Sequence, residues 1–108
     1  MPNISIFISE SAMPAKEQLD VLTRECIELC LQILQAKREK IHIIFIAVTP
    51  GHGLPVSIEI KYRQQPYRTA QVMDQFLAEL HQSVEQHIAL PARIRCFGYD
   101  AGHIHALN

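Results

Sequence analysis

Apolar and polar residues alternate from the first positions of the chain. Ile4, Ile6 and Ile8 fall on one side and Asn3, Ser5 and Phe7 on the other, which predicts a strand over residues 2–8. The period then changes. After a connector at residues 9–13, Leu19, Leu22, Cys26, Leu29, Cys30 and Ile33 recur in steps of three and four, the stripe of an amphipathic helix. Lys16, Glu17, Asp20, Arg24, Glu28 and Gln32 form its wet face. Pro14 suits the first turn of this helix, where its missing N–H is no loss. The stripe predicts a helix that runs to about Ala36, followed by a turn at residues 37–40. From Ile41 to Val48 the chain is apolar apart from His42, which predicts a strand covered on both faces.

The same order then returns. Thr49-Pro50-Gly51-His52-Gly53 is a loop of turn formers. Val56, Ile58, Ile60 and Tyr62 alternate with Ser57, Glu59 and Lys61, a third strand with one wetter face. Met73, Phe76, Leu77, Leu80, Val84 and Ile88 mark a second helix, predicted from about Tyr67 to Ile88 and stopped by Pro91. A fourth strand is predicted over residues 93–99, and the tail from Ala101 to Asn108 leaves room for a short fifth. Ile4, Ile6 and Ile8 thus stand over Val56, Ile58 and Ile60, a repeat of roughly 52 residues. The halves, about 1–50 and 51–108, make one domain of two βαβ units. Right-handed crossovers make the strands of each unit parallel. The expected fold class is α+β: a tandem β-α-β repeat forming a four-stranded mixed sheet with both helices on one face. The other face is left bare and apolar, so assembly is expected.

Composition narrows the possible partners. With 48% hydrophobic residues in 108, a packed core is expected rather than disorder. A formal net charge of −1 argues against a nucleic-acid groove, which needs a basic excess. No apolar run approaches the roughly 18 residues of a membrane span, and no basic segment leads into an apolar one as in a signal peptide. Cys26, Cys30 and Cys96 are odd in number and lack C-x-x-C spacing. They read as reduced core thiols of a cytoplasmic protein. His103-x-His105 is joined by no carboxylate or thiol cluster, so no metal is expected. Gly51-His52-Gly53 lacks the further residues of a phosphate loop, and no cofactor is expected.

The candidate chemistry begins at Pro2. If Met1 is removed, the Pro2 nitrogen becomes a secondary amine, fixed in direction by its ring. A free α-amine has a pKa of about 7.7–8.0. Burial and nearby cations both lower it, toward a base poised for proton transfer near neutral pH. If Met1 is retained, the nitrogen is an amide without basicity. Many chains begin Met-Pro without such a role, so the dipeptide alone decides nothing.

Together, the early proline, the long helix and the repeated βαβ resemble the tautomerase superfamily, in its two-repeat branch. That branch holds the macrophage migration inhibitory factor and 5-carboxymethyl-2-hydroxymuconate isomerase types. Pro2-Asn3-Ile4 stands where the family has its catalytic proline. Lys37 matches a lysine at the mouth of the family's site. Arg93-Ile94-Arg95-Cys96-Phe97-Gly98-Tyr99-Asp100 resembles its last long strand, and residues 102–107 resemble the end of the muconate isomerases. There are departures. Arg95 and Phe97 replace a tyrosine and an asparagine, and Arg63-Gln64-Gln65-Pro66 replaces a Gly-rich turn.

The resemblance implies a homotrimer and an isomerase without cofactors, with Pro2 as acid and base. A small keto-enol acid is the implied substrate. Its carboxylate and enolate need cations, for which Lys37, Arg95 and Arg63 are the candidates. Arg95 interrupts a strand, so its guanidinium must reach solvent, an acid or a ligand. Lys37 and Arg63 stand at element ends, where solvated charge is ordinary. A proline-based hydratase or dehalogenase is the alternative within the superfamily, and a non-catalytic binding or assembly module is the alternative outside it.

Overall fold

The computed structural model describes residues 1–108. The alternating segments become β1 (Asn3–Ser9) and β3 (Val56–Arg63), and the apolar run becomes β2 (His42–Val48). The two stripes become α1 (Lys16–Gln32) and α2 (Ala70–His87), and β4 (Ala92–Tyr99) closes the order. The sheet runs β2-β1-β3-β4. β1 lies parallel to β2, β3 lies parallel to β4, and the two central strands are antiparallel.

The central pair fixes the rest. Ile4 faces Ile60, Ile6 faces Ile58 and Ile8 faces Val56. The repeat therefore relates the pair Ile4–Ile60 to the pair Ile8–Val56 about an axis between Ile6 and Ile58, the one equivalent pair that meets directly. All of these side chains are buried. They meet Leu22, Cys26, Cys30 and Leu34 from the first half and Met73, Phe76, Leu80 and Val84 from the second in one core cluster. Between the helices, Ser83 Oγ donates to Glu25 Oε1 at 3.0 Å and His87 Nε2 meets Glu25 Oε2. Burial pushes the thiols of Cys26 and Cys30 up to about 12 and that of Cys96 up to about 11, which leaves them inert as nucleophiles.

Both helices are shorter than the sequence predicts. α1 starts at Lys16, where Gln18 Oε1 accepts from the Ala15 N–H at 3.1 Å. It ends before Gln35, a non-glycine residue at φ 52, and the Ala36 N–H turns back to the Cys30 carbonyl at 3.0 Å. α2 starts at Ala70 because Thr69 caps it, accepting from the Val72 N–H at 3.2 Å. Residues before Thr69 form a turn instead, with the Arg68 N–H on the Gln65 carbonyl at 2.9 Å.

Three further expectations need correction. β2 is not covered on both faces: it is an edge strand, and Ile44 is 56% exposed. The open face is also not uniformly apolar. Ile44, Ile46, Val48 and Phe7 give it an apolar side, because register puts them opposite the buried positions. Its other side carries Glu59, Lys61, Arg63, Arg93 and Arg95, from alternate positions of β3 and β4. The tail forms a single 3-10 turn at Ala101–His103 and adds no fifth strand. No helix is long and apolar enough to cross a membrane.

Because Ile6 sits on the axis of the central pair and is fully buried, Ile6→Ala should lower the unfolding free energy by about 2–5 kcal/mol. The shift of the urea midpoint at constant slope measures this.

Candidate active site

Sheet topology brings one set of chain ends together. β1 and β2 start at the end of the sheet where β3 and β4 finish, because the central pair is antiparallel. The exit of α1, the entry of α2 and the tail arrive at the same place. Pro2 lies one residue before β1 and is fully buried. Its carbonyl accepts from the His42 N–H at 3.1 Å, which pins it to the start of β2.

Beside it is a cavity of about 340 Å³. Met1, Lys37, Lys40, Arg63 and Arg68 line it, with Tyr67, Gln35, Gln65 and the tail residues Ile104, Ala106 and Asn108. It has four cationic side chains and no acidic one, an arrangement that favours an anionic ligand. The Met1 α-amino group is held below its ordinary value of 8.0, first by desolvation and then by the charges of Arg63, Lys40 and Arg68. A second space, of about 680 Å³, opens toward the bare face, with Asn3, Ser5, Glu39, His42 and His105 on its walls. Met1, Lys40 and the tail border both spaces.

Of the residues singled out in the sequence, Lys37 and Arg63 reach the same cavity as Met1. With Met1 in place Pro2 itself does not line it, and neither does Arg95. Arg95 pairs in register with Glu59 in the body of the sheet and is exposed on the bare face. Two cations of the cavity were not foreseen. Lys40 belongs to the exit turn at residues 37–40, where nothing in the sequence sets it apart. Arg68 was assigned to a helical first turn, and its partners are backbone carbonyls. The one sequence signal for it was its place between Tyr67 and the capping residue Thr69, just beyond the departure at residues 63–66.

No protein-family model matches the sequence, and no curated protein matches it significantly. Solved structures do. Pt0534 inactivated by 2-oxo-3-pentynoate superposes with a TM-score of 0.80 at 14% identity, over 96% of this chain and 90% of that one. A fused 4-OT wild-type asymmetric trimer gives 0.78 at 14% identity, over 97% and 92%. A macrophage migration inhibitory factor from Toxoplasma gondii gives 0.76 at 13% identity, over 97% and 96%. At these identities the likeness is one of fold: the chain has the β-α-β fold of the tautomerase superfamily.

The lowered amine has a direct readout. With Met1 in place, N-terminal acylation followed by mass spectrometry should have a pH midpoint below 8.0. A lower pKa keeps the reactive free base present to lower pH. Arg63→Met should move the midpoint back up, since it removes the first-named of the neighbouring charges.

Proposed function

We propose that this chain, once Met1 is removed, is a cofactor-independent tautomerase of small 2-keto or 2-hydroxydienoate acids, with the Pro2 amine as acid and base. The observation that carries this reading is the cavity at the start of β1: four cations, no acidic side chain, and a terminal amine held toward its free-base form. Loss of Met1 leaves the new amine on a residue that is already buried. Desolvation and the same cations then act on it in the same direction.

In the mechanism that follows, the neutral Pro2 nitrogen takes a proton from the carbon beside the keto group. The electron pair moves onto the keto oxygen. Lys37 and Arg63 hold the carboxylate and the developing enolate oxygen with charge-assisted hydrogen bonds. The prolinium then returns its proton to the oxygen or to a conjugated carbon, so the atoms balance without oxidant or cofactor. That Pt0534 is inactivated by 2-oxo-3-pentynoate, a small 2-keto acid, agrees with this substrate class. The competing reading is a binding module with an idle proline. A retained Met1 favours it, because the Pro2 nitrogen is then an amide.

Assembly belongs to the same proposal. β2 and β4 are both unpaired edges, and a ring of three copies pairing edge to edge would close them. The fused 4-OT neighbour is described as a trimer. Arg95, outside the cavity of its own chain, enters a site only from a neighbouring copy. Its role is therefore tied to assembly.

A ketonisation assay with phenylenolpyruvate or 2-hydroxymuconate, followed by ultraviolet absorbance, tests the chemistry. Pro2→Ala should keep part of the activity, since a primary amine still accepts a proton. An extra N-terminal residue should abolish it. Lys37→Ala should reduce kcat/KM by about 1.5–3 kcal/mol in transition-state terms. Equal rates for the free-amine and extended forms would rule out proline catalysis and favour the module.

Sedimentation equilibrium tests the assembly. A trimer is expected at micromolar concentration, and a stable monomer there would refute the closed ring and any contribution of Arg95 to the site.

A further inference from the structure

Arg68 stands at the cavity in unusual circumstances. It is only 6% exposed, yet it takes part in none of the ion pairs of the structure. A buried guanidinium without a carboxylate is destabilising unless its donors are used well. Its Nε donates to the Leu34 carbonyl at 3.0 Å, and its Nη1 donates to the Arg63 carbonyl at 2.7 Å. The Tyr67 ring covers it, with its centroid 5.5 Å from the guanidinium carbon.

Those two carbonyls lie on different segments. Leu34 belongs to the exit of α1, where carbonyls lose their helical partners. Gln35 follows at φ 52, a conformation that is strained for a residue with a Cβ and persists only where neighbours hold it. Lys37 comes two residues later. Arg63 is the last residue of β3, and its own side chain lines the cavity. Arg68 itself sits in the turn that leads into α2. One planar fork thus joins the segment that carries Lys37 to the strand end that carries Arg63.

We propose that Arg68 is a positioning residue: its guanidinium, anchored on the Leu34 and Arg63 carbonyls, holds Lys37 and Arg63 at the spacing an anionic ligand needs. The inference rests on the function proposed above for the same cavity. Arg68 acts through the two cations, which are exposed side chains on element ends: the Lys37 carbonyl accepts from the Lys40 N–H at 2.9 Å and Arg63 pairs with Tyr99 of β4, and the fork ties these two segments to each other. Lysine cannot replace it, because an ammonium is a point charge without the planar fork.

A double-mutant cycle tests this without turnover. Calorimetry measures 2-oxobutanoate binding to the full chain as wild type, Arg68→Lys, Lys37→Ala and the double variant. Arg68→Lys should weaken binding roughly tenfold while Lys37 is present, the lower end for one charge-assisted hydrogen bond. In the Lys37→Ala background the same change should weaken it by less than about threefold, because part of what the clamp positions is gone. A purely structural role would give equal losses in both backgrounds, and that result overturns the proposal. So does wild-type affinity in Arg68→Lys, or no measurable binding by the wild type. If Arg68→Lys does not fold, Arg68→Gln, which can still donate to one carbonyl, goes through the same cycle with the same criteria. Failure of the proposed function shows elsewhere, as an N-terminally extended protein as active as the free-amine form. That result leaves the binding cycle to judge Arg68 separately.

Discussion

The antiparallel pairing of β1 with β3 is the constraint on which the rest of the molecule depends. Each of these strands has a parallel partner on its outer side, reached through a helix. Reversing one unit against the other gathers two strand starts and two strand finishes at one end of the sheet. Side chains from residues 1, 37, 63 and 68 thereby share a small space although they are spread over more than half of the chain. The pairing is held by isoleucines and a valine that are buried under both helices. The core is therefore also the device that assembles the cavity.

Much of this was legible in the residues. Period-two alternation located β1 and β3 to within one residue, because one face of each is buried and the other is not. Helical stripes located α1 and α2, but not their ends. Those ends depend on a left-handed Gln35 and on the Thr69 cap, which act over single residues and leave the period unchanged. The edge position of β2 was not legible. An apolar run such as Ile43-Ile44-Phe45-Ile46 reads alike whether its outer face meets the same chain or another surface.

The site was legible in part, for similar reasons. Lys37 and Arg63 follow from topology once the ends of a βαβ unit are known to meet. The parity of Arg95 is visible in the sequence: it alternates with Ile94 and Cys96, which pack on the core, so it must face the other way. Arg68 was hidden because its partners are carbonyls, and every residue carries one. A cation bound by acids leaves a charge pattern in the sequence, whereas a cation bound by backbone does not.

The internal repeat has a further consequence. The axis between Ile6 and Ile58 gives the sheet two ends of like construction, so the opposite end is a natural control for the first. There Leu54, half exposed, stands one repeat after Pro2. The hollow nearby is lined by Val84, Ala89, Leu90, Pro91 and Ala92, with His81 and Glu85 but no lysine or arginine. The duplicated architecture therefore supplies a hollow at both ends and a cluster of lysine and arginine at one. A scaffold of this kind leaves its second vestibule open to change: cations or an amine mimic could be grafted there against a backbone that already has the required form, while the first vestibule keeps its own chemistry.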